Sequence, residues 1–164
     1  MNRHLIAIRL LIAAALARIN RTIGPPMVLI GNIAEGTHNG TITKKTDAAI
    51  ATRFLFGKKG SDDDHIAVCT SDTDNPYGVI TDEATAAEEI VNVALLGAAQ
   101  ETRKITLGGT VAVGDYLTCD ANSKGKKLPT ASGTYYICGR ALMAGVSGDT
   151  IEFDPIPSVQ RIVP

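Results

Sequence analysis

The stretch "IVNVALLG", Ile90–Gly97, decides the fold class. Val91, Val93 and Leu95 are separated by single residues, so their side chains lie on one face of an extended chain and make that face apolar. This period of two is typical of a β-strand with one face against a core, and Gly97 supplies a turn signal at its end. The stretch therefore predicts a half-buried strand.

The same kind of segment recurs along the chain after Pro26. Each segment is short, rich in β-branched or aromatic residues and bounded by turn-forming residues. The other segments are "GTITKK", "RFLFGKKG", "HIAVCT", "YGVIT", "RKITLGG", "DYLTCD", "YYICGRAL" and "DTIEFDP". Nothing resembles the long helical crossovers of a parallel sheet. We predict an all-β fold, a small β-barrel or β-sandwich of short antiparallel strands.

Two connections have their own signals. "DANSKGKK", Asp120–Lys127, is predicted to be a hairpin turn, with the partner of the strand "DYLTCD" returning after it. "TDEATAAEEI", Thr81–Ile90, is ambiguous, because Thr85 and Glu88 have the spacing of a capping box. One helical turn and an acidic loop both fit this second segment.

Composition excludes several classes of protein. A chain of 164 residues is long enough for one domain with a real core, but with 4% aromatic residues and no Trp that core is aliphatic. The net charge of −1 lacks the basic footprint of a nucleic-acid binder, so no nucleic-acid partner is expected. Cys69, Cys119 and Cys138 fit neither a disulfide framework nor a paired-cysteine zinc site. They are predicted to be free, buried thiols.

The N-terminal segment differs from the rest of the chain, since "HLIAIRLLIAAALARI" is almost wholly apolar. Apolar residues recur there at helical spacings of three and four, at Leu5, Ile8, Ile12, Leu16 and Ile19. We predict two units: residues 1–26, a helical arm ending in a Gly-Pro-Pro linker, and residues 27–164, a β-rich domain. The arm is too short and too charged to span a membrane, so no membrane partner is expected. A signal or anchor within residues 1–24 stays open.

The stretch "GGTVAVGDYLTCD" carries the glycine spacing of a phosphate-binding loop at Gly109 and Gly114. Such a loop needs Lys and then Ser or Thr after its second glycine, whereas Asp115 and Tyr116 follow here. The glycines are therefore predicted to be turns that flank a short strand. Asp115 is expected to hydrogen-bond backbone amides within its turn.

Two acidic segments resemble metal sites. "SDDDH", Ser61–His65, places adjacent carboxylates that cannot all point at one ion, so an acidic surface turn is predicted. "DTDNPYGVITDE" starts like a calcium loop, but Pro76 and Tyr77 stand where a ligand and the turn glycine belong. No activated nucleophile accompanies any histidine. We therefore expect no metal, no cofactor and no enzymatic activity.

Four motifs, in their order and spacing, resemble the small capsid decoration, or cement, proteins of tailed bacteriophages. They are "NIAEGTHNG", "VNVALLG", "VAVGDYLT" with "DANSKGK", and "GRALMAGVSGDTIEFDP", and they span about residues 27–158. The resemblance implies a structural virion protein on the outer capsid surface that binds the major capsid protein, stabilises the head and often forms a homo-oligomer, with a trimer favoured. Folding in the host cytoplasm is expected, because free thiols favour a reducing compartment.

Capsid or subunit contacts are expected in two places. The apolar arm residues named above are one, because an arm apolar on every side needs a partner surface. The glycine-rich segment "NIAEGTHNG" is the other, with the residues Asn32, Glu35, Thr37, His38 and Asn39. The alternative function is a secreted or periplasmic β-domain that acts as a binding module, with residues 1–24 as its signal or anchor.

Overall fold

The computed structural model of the chain describes residues 40–98 and 101–164. All the regular elements among these residues are strands, which confirms the all-β prediction. Their bounds are β1 Thr41–Thr46, β2 Leu55–Lys59, β3 His65–Val68, β4 Gly78–Ile80, β5 Ile90–Leu95, β6 Arg103–Thr106, β7 Tyr116–Cys119, β8 Gly125–Lys127, β9 Gly133–Ala141 and β10 Thr150–Val163. The predicted helical arm lies outside the described residues.

Strands β1 to β5 form a closed barrel in the order β1-β3-β2-β4-β5. The "IVNVALLG" strand, β5, closes it by pairing antiparallel with β1 on one side and with β4 on the other. The pair of β1 with β3 is parallel, which corrects the expectation of antiparallel strands throughout. Each barrel strand therefore has a paired neighbour on both sides, although β1 meets β3 only at Lys45 and Thr46.

The barrel interior is small and aliphatic, as the composition requires. Its buried residues are Ile50, Leu55, Ile66, Ile80, Ala84, Val91 and Val93. Gly57 makes this packing possible, because a Cβ atom there would lie 2.5 Å from the side chain of Ile66 and 3.0 Å from that of Ile80. Strand β2 can therefore carry no side chain at this position without displacing core residues.

Strands β6 to β10 form a second, curled sheet in the order β6-β10-β9-β7-β8. The curl brings Leu107, just after β6, into a parallel bridge with Gly125 of β8. Beyond this curl, β9 and β10 continue together as a two-stranded extension, which we call the ribbon, formed by residues 133–138 and 159–163. Among the described strands, β6 and β7 pair only with the parts of β10 and β9 outside the ribbon.

A second buried cluster joins the barrel to the sheet. The rings of Phe56 in β2 and Phe153 in β10 meet edge to face, with centroids 5.9 Å apart, and both are fully buried. Ser123, at the tip of the β7–β8 hairpin, also contacts Phe56. We call this region of contact between barrel and sheet the junction. The Ser123 backbone oxygen accepts a hydrogen bond from Phe56 N at 2.7 Å, and its hydroxyl donates to Phe56 O. The hairpin tip is therefore buried between barrel and sheet.

Two predictions about local structure need correction, and one open alternative is resolved. The partner of β7 begins at Gly125, inside "DANSKGKK", because Ser123 with its positive φ of 67° completes the turn early. The predicted strand between Gly109 and Gly114 is a single bridge from Val111 to Gly145. Residues 81–89 form the loop, and the Thr85 amide donates to Glu89 rather than to Glu88.

Candidate interaction surface

Large hydrophobic side chains at the surface are concentrated on the sheet. Among the described residues, the barrel exposes Ile90, and the sheet and its turns expose Val113, Tyr116, Leu142, Met143, Val146, Val159 and Ile162. Single exposed apolar residues are normal, whereas a concentration of them indicates an interaction site. The sheet is therefore the candidate interaction surface.

Two turns at one end of the sheet carry five of these side chains. We call residues 111–116 and 142–149 the paired turns, because reciprocal backbone hydrogen bonds of 2.9 and 3.0 Å join Val111 to Gly145. Val113 is 67% exposed on the first turn, and Val146 is 54% exposed on the second. These side chains project from a framework that the backbone bonds hold in place.

Acidic side chains fix the shape of the paired turns. Asp115 accepts a hydrogen bond from the Ala112 amide at 2.9 Å and forms an ion pair with Lys127 at 3.0 Å. The amide hydrogen bond, with the lysine second, lowers the pKa of the Asp115 carboxyl. Asp149 caps the other turn by accepting from the Val146 amide at 2.9 Å. The predicted role of Asp115 in its turn is confirmed, and Gly114 adopts the left-handed φ of 87° that the turn needs.

An apolar groove runs from the paired turns along the ribbon. It has a volume of about 320 Å³ and is lined by Tyr116, Leu128, Ile137, Ile156, Val159 and Arg161. Tyr116 belongs both to the paired turns and to the lining of the groove. The Arg140 guanidinium lies 5.5 Å from the centroid of the Tyr116 ring. An exposed tyrosine held by a cation and beside a groove provides apolar area with one polar end, as interface residues commonly do.

The barrel carries a polar cluster at one rim. His65 is buried, and its two ring nitrogens lie 2.6 Å from Asp62 and 2.8 Å from Glu88. Both nitrogens face carboxylates, so the doubly protonated ring suits the site. Hydrogen bonds to Asp62 first and Glu88 second raise the pKa of His65. Lys45 holds Glu88 from the other side at 3.0 Å.

This cluster explains the segment "SDDDH". The three carboxylates are exposed and turn to different partners: Asp62 to His65, Asp63 to Lys59, and Asp64 toward solvent. The prediction of an acidic surface turn is confirmed. Within residues 40–98 and 101–164, no three His, Cys, Asp or Glu side chains are grouped in a way that could hold a metal ion.

The calcium-like segment is also occupied by local contacts. Asp74 accepts from Lys58 at 2.8 Å and from the amide of Thr70 at 2.7 Å. Burial opposes these contacts, yet their sum lowers the pKa of the Asp74 carboxyl. Asp72 reaches across the junction to Lys126 at 3.0 Å. Both aspartates therefore stabilise the barrel and its contact with the sheet.

The residues predicted as contacts from the sequence all lie outside the described part of the chain. This holds for the arm residues Leu5 to Ile19 and for Asn32 to Asn39. The exposed side chains of the paired turns were missed, although the sequence carries a signal for them. "GRALMAGVSGD" places Leu142, Met143 and Val146 in a glycine-rich segment that cannot bury them all. The described residues contain no helix of the length and apolarity that crossing a bilayer requires.

Comparison with solved structures places this architecture beside a known phage component. The chain is similar to the crystal structure of the head fiber gp8.5 N base of bacteriophage phi29, with a TM-score of 0.52. The two chains are 18% identical, and the match covers 74% of this chain and 98% of the other. At this identity the likeness establishes a shared fold. No protein-family profile matches the chain, and the search of curated proteins found no significant match.

Proposed function

We propose that the chain is a structural protein of a phage head. The observation that carries this proposal is the fold shared with the head fiber base over nearly the whole of that domain. The order of the glycine-turned strand motifs supports the same assignment from the sequence. The role is one of binding, and the virion is its location.

The finer proposal is attachment to the outer face of the head through the major capsid protein. The paired turns are the contact we assign to it, because they present apolar side chains from a backbone framework. Attachment of this kind depends on shape-complementary area, of about 1,000 Å² for a specific contact. Repetition over a symmetric lattice multiplies modest contacts by avidity. Near-neutral charge suits both requirements, since neighbouring copies then repel one another little.

Binding to purified heads tests the contact with a matched pair of variants. Val146→Asp adds a charge to the paired turns, and Ile90→Asp adds the same charge to a barrel side chain that is 72% exposed. We expect Val146→Asp to lower the number of copies that sediment with heads at least about tenfold, because a desolvated charge at an apolar contact is costly. Ile90→Asp should bind like the unmodified chain. Equal occupancy for both variants would remove the paired turns from the contact.

The oligomeric state is a separate part of the proposal. We expect a homo-oligomer, with a trimer favoured, and the open groove of the ribbon offers apolar surface for contact between copies. Native mass spectrometry of the free protein and counting of copies on heads measure this directly. A monomer in solution that also binds heads singly would exclude the oligomer while leaving head attachment intact.

A further inference from the structure

Two cysteines meet at the junction from opposite sides. Cys69 follows β3 in the barrel, Cys119 ends β7 in the sheet, and both are buried. Cys69 N donates to the Ser123 hydroxyl at 2.5 Å, and Cys119 Sγ donates to the Ser71 carbonyl at 3.3 Å. Ser71 lies close to Cys69 in the chain and Ser123 close to Cys119. Each cysteine is thus fastened to the loop that carries the other.

The two thiols are also neighbours in one buried cluster, and each affects the titration of the other. This contact, with burial second, raises the pKa of Cys69, and the same contact lowers the pKa of Cys119. The contact therefore favours loss of the proton from Cys119 over its loss from Cys69. The thiolate is the form of cysteine that reacts with peroxides and with oxidised sulfur.

A small oxidant can enter beside Cys69, and the Cys119 sulfur lies behind it in the buried cluster. Cys69 lines an open cavity of about 400 Å³ on the barrel side of the junction, together with Leu55, Val68 and Asn122. Cys138 is equally buried but lies within β9 and does not line this cavity, and burial raises the pKa of its thiol well above the usual value. Its Sγ donates to the carbonyl of Tyr136 on its own strand. The chain therefore contains a buried thiol that can act as an internal control.

We propose that Cys69 and Cys119 form a disulfide between barrel and sheet when the folded protein meets a peroxide. The Cys119 thiolate attacks one oxygen of hydrogen peroxide, the O–O bond breaks, and the departing hydroxide takes a proton and leaves as water. The Cys69 sulfur, giving up its proton, then attacks the sulfenic sulfur. The S–S bond forms, the S–O bond breaks, and a second water leaves. Two thiols lose two electrons and two protons, and one peroxide becomes two waters.

The bond joins the two parts of the fold by a covalent link that spans the junction. In the reduced protein that contact depends on packing, hydrogen bonds and the ion pair of Asp72 with Lys126. Closing a long loop removes conformations from the unfolded chain, which stabilises the folded state. The thiols stay reduced in the host cytoplasm, and lysis of the cell exposes the protein to oxidants. We expect the oxidised form to melt about 5 °C or more above the reduced form.

Mass spectrometry of the intact folded chain tests the proposal. Treatment with dilute hydrogen peroxide should lower the mass by two hydrogens, about 2 Da, and a reductant should restore it. Digestion under non-reducing conditions should yield one peptide pair containing Cys69 and Cys119. Cys138→Ser should behave in the same way, whereas Cys69→Ala and Cys119→Ala should not lose this mass. Circular dichroism establishes that each variant is folded.

Three results would overturn the proposal. One is an unchanged mass in the folded, unmodified protein after peroxide. Another is a linkage that includes Cys138, which would show that the thiols at the junction are not the reactive pair. The last is an oxidised form, correctly linked, whose melting temperature equals that of the reduced form, because the bond would then not tie barrel to sheet.

Discussion

The barrel and the sheet use similar strands but finish them differently. The barrel closes on itself, pairs every strand on both sides and exposes Ile90 as its single large hydrophobic side chain among the described residues. The two edges of the curled sheet meet at a single bridge between Leu107 and Gly125, β9 and β10 extend into a ribbon, and the sheet exposes most of the large apolar side chains among the described residues. A closed barrel needs no further partner, whereas a two-stranded ribbon is marginal in water by itself. The difference supports our proposal that the barrel is the scaffold and that the sheet carries the contact surface.

The largest expected effect comes from breaking the aromatic contact between the two parts. Phe56→Ala should lower the free energy of unfolding by about 4 kcal/mol, because it leaves a cavity beside Phe153 at a fully buried site. Urea titration followed by circular dichroism measures it. Tyr116→Ala removes a half-exposed ring and should cost much less. Two separate unfolding transitions would show that the junction does not couple barrel and sheet.

A smaller loss is expected from the hydroxyl at the hairpin tip. Ser123→Ala should cost about 2–3 kcal/mol, because the Cys69 amide loses its acceptor and Phe56 O loses a donor, both in a buried site. Alanine has the same strain at the positive φ, so the hydroxyl alone is tested. Ser158→Ala, which removes a more exposed bond to Asn75, is the matched control and should stay within about 1 kcal/mol. Equal costs would reduce Ser123 to an ordinary turn residue.

The dependence of stability on pH near neutrality is expected to come from the barrel, at His65. Because Asp62 and Glu88 raise the pKa of His65 in the folded state, its contribution is complete below the unfolded value near 6.5. That contribution is lost as pH rises through the raised value. At acid pH the two carboxylates have the opposite effect. The pKa values of Asp62 and Glu88 are lowered in the folded state, so the free energy of unfolding falls as they become protonated. Unfolding free energies measured between pH 5.5 and 9 should decline with rising pH.

The control for this titration is His65→Gln. Glutamine keeps a polar side chain at the rim but does not titrate, so the decline above neutral pH should flatten. Lys45 also faces Glu88 and keeps its charge across this range. If the variant shows the same slope as the unmodified protein, another group controls the pH dependence.

The smallest effect is expected on the sheet, at the paired turns. Asp115→Ala should cost about 1 kcal/mol, because the Ala112 amide is solvated once its acceptor is lost. Asp115→Asn keeps an oxygen for that amide and loses the ion pair with Lys127, which contributes little because the lysine side chain is 57% exposed. Thermal melts of the two variants should therefore rank Ala below Asn. The reverse order would make the charge, and not the amide bond, the stabilising contact.

Local pattern was enough to predict most of the strands but not how they assemble. Alternation and turn residues located nine of the ten strands, since both signals depend on neighbours in sequence. The partner of β7 was misplaced, because local bonds to Asp120 and contacts of Ser123 with the distant Phe56 close a shorter turn than the sequence indicated. The extension of β10 was missed because Pro155 and Pro157 argue against a strand, and a register shift between Pro155 and Val159 accommodates them.

The candidate site was harder to predict than the strands. Acidic segments could be interpreted as turns because adjacent side chains cannot all point at one ion. This interpretation was correct for Ser61–His65. The paired turns depend on a bridge between Val111 and Gly145, which no local pattern contains. The proximity of Cys69 and Cys119 likewise arises from the contact of barrel with sheet. The two residues are 50 positions apart, so no local pattern predicts that they are neighbours.

The buried hairpin tip has a consequence for the order of synthesis on the ribosome. All five barrel strands have been synthesised once Leu95 emerges. The Cys69 amide and the backbone of Phe56 still lack their hydrogen-bond partner, Ser123, which is translated later. The barrel therefore leaves the ribosome with open polar groups on the side that the sheet will cover. Those groups favour docking of the β7–β8 hairpin as it appears, so that the first part of the chain guides the placement of the second.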